Sequence, residues 1–95
     1  MAVFAKVVLP ATTPAQYDAL NAELQALPGD TFAGCLSHVC VPTGAGLEIY
    51  DLWESQEAMD AFGALIMPIA EKQGLPPAAG PPEVSPVHRY WVPGT

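Results

Sequence analysis

Basic side chains are what this sequence has least of. Only three of its 95 residues are Lys or Arg, against ten Asp and Glu, for a net charge of −7. A nucleic-acid surface must neutralise phosphates with clustered cations, and an anionic membrane attracts polybasic segments. Neither partner is expected. No apolar run approaches the roughly 20 residues of a membrane-spanning helix. Residues 1–10 are apolar but short, carry Lys6 and lack a small-residue cleavage site. They are not expected to be a signal peptide, and the cytoplasm is the expected location. There is no glycine-rich phosphate loop and no G-x-S-x-G elbow. Only two cysteines are present. Cys35 and Cys40 fall five residues apart on one expected strand, so they should face opposite sides with Cα atoms roughly 16 Å apart. A disulfide needs less than about 7 Å, so buried free thiols are expected.

Apolar residues are abundant, at 51% of the chain. Ninety-five residues make one domain, 1–95, and a chain this short buries only about two-thirds of its unfolded surface. Its strands look apolar on both faces. That is more apolar surface than a lone two-layer domain covers, so a homodimer is expected.

Residues 3–9 read as a strand. Thr13-Pro14-Ala15-Gln16 then starts a helix: Pro suits the first helical position, and Thr with Gln three later makes a capping box. Tyr17, Leu20, Leu24 and Leu27 form its apolar stripe, and Pro28-Gly29 stops it. A second strand covers residues 35–41, a turn-rich loop residues 42–46, and a third strand residues 47–53. Ser55 caps the next helix, with Glu54 and Glu57 where the helix dipole is positive. Met59, Phe62, Ile66 and Ile69 repeat at helical spacing up to about Gln73. Pro68 either kinks that helix or ends it. Residues 74–82 hold four Pro and form a stiff connector, suited to crossing a neighbouring element or a cavity mouth. Residues 84–92 read as the last strand, with Pro86 marking an edge or a bulge.

The order β-α-β-β-α-β predicts an α+β, ferredoxin-like fold, a four-stranded antiparallel sheet with two helices on one face. The run Tyr50-Asp51-Leu52-Trp53-Glu54-Ser55-Gln56-Glu57-Ala58, with Phe62 and the late Val87-His88-Arg89-Tyr90, resembles small dimeric α/β-barrel proteins of the antibiotic biosynthesis monooxygenase superfamily. The likeness covers most of the chain, including Gln16-Tyr17-Asp18, His38, Pro68 and His88. It implies two sheets packed face to face across a dimer, with a pocket in each subunit between helices and sheet. The superfamily spans cofactor-free oxygenases, haem-degrading enzymes, isomerases, cyclases and proteins of no known activity.

His38 and His88 are the two histidines, the residues most easily tuned for proton transfer near neutral pH. Each is either a pocket base or a hydrogen-bonded core or interface residue. Strand register decides their company. One register sets His38 opposite Tyr50 and Cys40 opposite Glu48, gathering the polar groups on one face. A one-residue slip places His38 with Asp51 and Trp53 instead. The first separates polar from apolar more cleanly and is preferred. Asp51, in a central strand, needs a partner if buried. It either orients a histidine or fixes the strand-to-helix joint. The candidate catalytic residues are therefore His38, His88, Asp51 and Tyr50. Trp53, Tyr17, Phe62 and Trp91 are the candidate substrate-binding aromatics of an apolar pocket. Arg89 should point away from His88, towards acid across the dimer. His38, Cys40, His88 and Glu48 form no tight metal motif, flavin and nicotinamide have no sequence support, and haem propionates would find few cations. No cofactor is expected. The resemblance implies a cofactor-independent enzyme (oxygenase, cyclase or isomerase) acting on an apolar or aromatic, polyketide-like metabolite. The alternative is a non-catalytic ligand-binding or stress-associated homodimer.

Overall fold

The computed structural model describes residues 1–94. The elements are β1 (Val3–Pro10), α1 (Pro14–Ala26), β2 (Cys35–Pro42), β3 (Gly46–Trp53), α2 (Gln56–Lys72) and β4 (Glu83–Pro86). The strands form one antiparallel sheet in the order β2-β3-β1-β4. This is the ferredoxin-like α+β arrangement expected from the sequence.

Both helices start where their caps direct. Thr13 Oγ1 accepts from the Gln16 amide at 3.1 Å, and Gln16 Oε1 accepts from the Thr13 amide at 2.8 Å, which completes the capping box. Ser55 Oγ accepts from the Ala58 amide at 3.1 Å. Pro68 does not end α2, which continues to Lys72. It has no N–H to give the Ala64 carbonyl, yet the flanking turns hold the helix.

Strand β3 alternates strictly. Leu47, Ile49, Asp51 and Trp53 are buried on the helix-facing side, and Glu48, Tyr50 and Leu52 are half-buried on the other. Val3, Ala5 and Trp53 form the core, with Cys35, Ala58, Met59 and Phe62 packed against it. None of the described α2 residues is fully buried, because a cavity lies between this helix and the sheet. At their far ends the helices are tied directly. Lys72 Nζ and Gln73 Nε2 each donate to Glu23 at 2.8 Å, and these bonds hold its carboxyl below the usual range.

Three expectations need correction. The last strand ends at Pro86 rather than residue 92. Pro86 lacks an amide to extend the ladder, so His88, Arg89 and Trp91 lie in an irregular, exposed segment. The preferred hairpin register is not adopted: His38 lies opposite Asp51, Val39 opposite Tyr50 and Cys40 opposite Ile49. Finally, Cys35 and Cys40 do not face opposite sides. An irregularity between Cys35 and Ser37 inserts one residue, so Cys35 faces Trp53 while Cys40 faces Ile49. Both partners are buried helix-side residues, and directly opposed residues share a face. Both thiols are free, and burial pushes both up.

The sheet face away from the helices is apolar and open. Phe4, Val8, Val39 and Val41 are exposed there, alongside half-buried Leu52 and Tyr50. No described helix is long and apolar enough to cross a membrane.

Candidate functional site

The cavity between helices and sheet holds about 650 Å³. Its floor is the helix-facing side of β1 and β3, from Ala5 and Val7 to Ile49 and Trp53. Its sides come from Leu20 and Leu24 of α1 and from Met59, Phe62, Ile66 and Met67 of α2. The proline-rich connector forms part of the rim through Leu75, Pro76, Ala78 and Pro82. It is held there by the Ala79 amide, which donates to the Val8 carbonyl at 3.0 Å. Phe32, Phe62 and Trp53 form an aromatic run, with ring centroids 5.4 and 5.2 Å apart.

One end of this apolar space is polar. Asp51 is buried on β3, and a carboxylate there needs a partner. His38, directly across the ladder, supplies it: His38 Nδ1 lies 2.5 Å from Asp51 Oδ1. A carboxylate can only accept, so Nδ1 carries the proton, and whenever the ring is neutral Nε2 is its acceptor. Tyr17, on the first turn of α1, then donates its hydroxyl to Nε2 at 2.5 Å. The two rings are nearly parallel, at 9°, with centroids 5.9 Å apart. Burial, with the charges of Cys40, Asp51 and Asp18, pushes the Tyr17 phenol up from its ordinary 10.0, so it is a neutral donor at physiological pH.

Tyr17, His38, Asp51, Trp53 and Phe62 all line the cavity. Tyr50, His88 and Trp91 do not. Tyr50 is on the opposite sheet face, donating to Glu48 Oε1 at 2.6 Å and lying against Phe4. His88 and Trp91 are exposed beyond the sheet, with the Arg89 guanidinium 4.8 Å above the Trp91 ring. Sequence reasoning placed Tyr17 among the binding aromatics and missed its bond to His38. It also missed Asn21, one helical turn on in the cavity wall. The four-residue spacing from Tyr17 was the available signal. Among the described residues, no group of three His, Cys, Asp or Glu side chains is arranged to hold a metal, and no Lys or Arg lines the cavity to pair with an anionic cofactor.

Tyrosine titration tests these surroundings. The hydrogen bond to Glu48 and partial desolvation also push Tyr50 up. Raised phenols keep their protons longer in the folded state, so stability from this source is present below pH 10 and lost as pH rises further. In an ultraviolet titration, Tyr17→Phe should remove one of the late-ionising phenols. Loss of a phenol titrating at or below 10 would contradict the burial of Tyr17.

The ferredoxin-like architecture is shared with solved structures of low sequence identity. SnoaB from Streptomyces nogalater, a cofactor-independent oxygenase, aligns with a TM-score of 0.61 and 17% identity over 97% of this chain and 96% of its own. The ActVA-Orf6 monooxygenase of Streptomyces coelicolor, solved with nanaomycin D, aligns at 0.55 and 24% identity over 99% and 93%. At these identities the likeness establishes the fold. No family model matches the chain, and no curated protein matches it by sequence.

Proposed function

We propose that this chain is a cofactor-independent enzyme that deprotonates an apolar or aromatic, polyketide-like metabolite in the cavity, with His38 as base. The observation that carries this reading is the Tyr17–His38–Asp51 chain at the polar end of an otherwise apolar cavity. A fold hosts many activities, so the site has to carry the argument. Asp51 fixes the tautomer that exposes a basic Nε2, and it stabilises the imidazolium once a proton arrives, the role of the acid in other carboxylate–histidine pairs. The His38 side chain is 34% exposed, so the base can exchange its proton with water between turnovers.

The substrate presents an activated C–H or O–H to Nε2 in place of the Tyr17 hydroxyl. The proton moves to His38, and the freed Tyr17 O–H donates to the enolate or phenolate oxygen. Tyr17, being neutral, can stabilise that charge; a tyrosinate could not. In the oxygenase form the carbanion adds to O2, and the peroxide so formed takes the proton back from His38 and loses water to leave a carbonyl; the SnoaB neighbour is named as a cofactor-independent oxygenase. In the cyclase or isomerase form it attacks within the substrate or is reprotonated elsewhere.

The test is a screen of hydroxylated naphthalenes and anthracenes for turnover with and without O2, followed by His38→Ala on whichever compound reacts. Turnover should fall on the order of 100-fold or more with the fold retained. Unchanged turnover would remove His38 from the mechanism. A ligand bound without any turnover would favour the non-catalytic reading.

The same reading makes the protein one domain that works in the cytoplasm as a homodimeric barrel, two copies covering each other's open sheet face. Val39, at 49% exposed, lies on that face. Analytical ultracentrifugation should find a dimer, and Val39→Asp should shift it to monomer. A wild-type monomer would overturn the barrel.

A further inference from the structure

A second, shallower depression of mixed lining lies on the other side of His38. It holds about 340 Å³ between α1 and β2, bordered by Asn21 and Gln25, by Phe32, and by Cys35, Ser37 and His38. Asn21, Phe32 and His38 also line the apolar cavity, so the two spaces share a wall and the base stands in it. Tyr17, Asn21 and Gln25 recur every four residues along α1, on one helical face. That face runs from the cavity into the second cleft, where its amides stand beside Ser37. The irregularity of β2 between Cys35 and Ser37 falls in the opposite wall, and bulges of this kind re-aim side chains beside functional sites.

The polar groups of the two spaces differ in what they already bind. In the cavity, Tyr17, His38 and Asp51 satisfy one another, Thr12 donates to the Pro10 carbonyl, and Asp60 accepts from Gln56, which leaves only Asn21, shared with the cleft, without a partner among the described residues. In the cleft, the side chains of Asn21, Gln25 and Ser37 have no hydrogen-bond partner among the described residues. No Lys, Arg, Asp or Glu borders it. A carboxylate or phosphate would find no cation there, and an amine would find no carboxylate. Two amides and a hydroxyl offer both donors and acceptors, the complement of alcohol groups.

We propose that this cleft is a second subsite, taking the uncharged, hydroxyl-rich end of a ligand (a glycosyl group, for example) whose apolar ring system fills the cavity. His38 then meets the junction of the two parts. The proposal rests on the cavity being an aromatic-binding site.

Binding of 1-naphthol and of 1-naphthyl β-D-glucopyranoside to the full chain tests it. Gln25→Leu combined with Ser37→Ala alters only the cleft, since neither residue lines the cavity. Both are exposed, and circular dichroism checks that the fold is kept. The wild type should bind both probes. The double variant should bind the glucoside about tenfold more weakly, as expected for two lost hydrogen bonds, and 1-naphthol within twofold of wild type. Wild-type binding of naphthol but not glucoside, or an equal response of both probes to the double substitution, would overturn the subsite and leave the cavity reading standing. If neither probe binds, the cavity reading falls and the subsite with it.

Discussion

Asp51→Asn should lower kcat by about 10⁴-fold, the scale seen when the acid of a catalytic histidine pair becomes an amide, while KM and the melting temperature change little. The side chain keeps its shape, so its place opposite Ala5 in the ladder survives. What changes is the proton on His38. The Asp51 carboxylate accepts from Nδ1 and thereby keeps Nε2 unprotonated. An amide nitrogen would donate to Nδ1 instead, and the ring would carry its proton on Nε2, where it cannot act as base. The imidazolium formed during turnover would also lose its counter-charge. The bond to Tyr17 would reverse, with Nε2–H donating to the phenol oxygen. Nitrogen-15 shifts of His38 report the tautomer independently of activity. A variant with the switched tautomer but undiminished kcat would show that His38 is not the base. An unswitched tautomer would show that Asp51 does not control it.

Trp53→Ala should cost about 3–5 kcal/mol of stability, against a total of about 5–15 kcal/mol for a domain of this kind. Trp53 is 1% exposed. It is the largest member of a small core, joining Val3 and Ala5 on the sheet to Phe62 on α2. It also forms part of the cavity wall. Its loss would merge a new void with space that is already present, so little collapse can recover the contacts. Urea denaturation measures the cost, and Trp53→Phe should recover part of it. A loss below about 1 kcal/mol would mean that the cavity closes when its wall is removed. The pocket would then not be preformed, contrary to what an apolar binding site of this size requires.

Much of the fold was legible because the signals were local. Thr13 and Gln16 satisfy each other three residues apart, Ser55 caps within its own turn, and the alternation of Leu47, Ile49, Asp51 and Trp53 sorts β3 into two faces. The order of elements then left few sheet topologies open. Pro86 marked the edge strand, but the strand was drawn too long, because the apolar and aromatic residues after it look strand-like whether or not an amide ladder continues.

The site was legible in part. His38, Asp51, Trp53, Phe62 and Tyr17 were all singled out, but their grouping was not. Polarity alone favoured putting His38, Cys40, Glu48 and Tyr50 together. The structure instead sends His38 and Cys40 towards the helices and leaves Glu48 and Tyr50 on the far face. The buried charge explains the outcome. Asp51 must point inward with the rest of its β3 face, and an unpaired carboxylate there costs more than an imperfectly amphipathic strand gains. His38 is the partner that removes the cost.

The sequence by itself determined the elements, their order, the faces of β3 and the kinds of side chain available for chemistry. Those follow from spacing along the chain and from each residue's own preferences. Tertiary structure decided that one residue inserted in β2 brings Cys35 and Cys40 to the same face, that Tyr17 from a helix reaches His38 on an edge strand, and that Tyr50, His88 and Trp91 stand apart from the cavity. Those depend on ladder register and on how helices seat on the sheet. Both are settled by the burial of distant groups against one another, which no local spacing encodes.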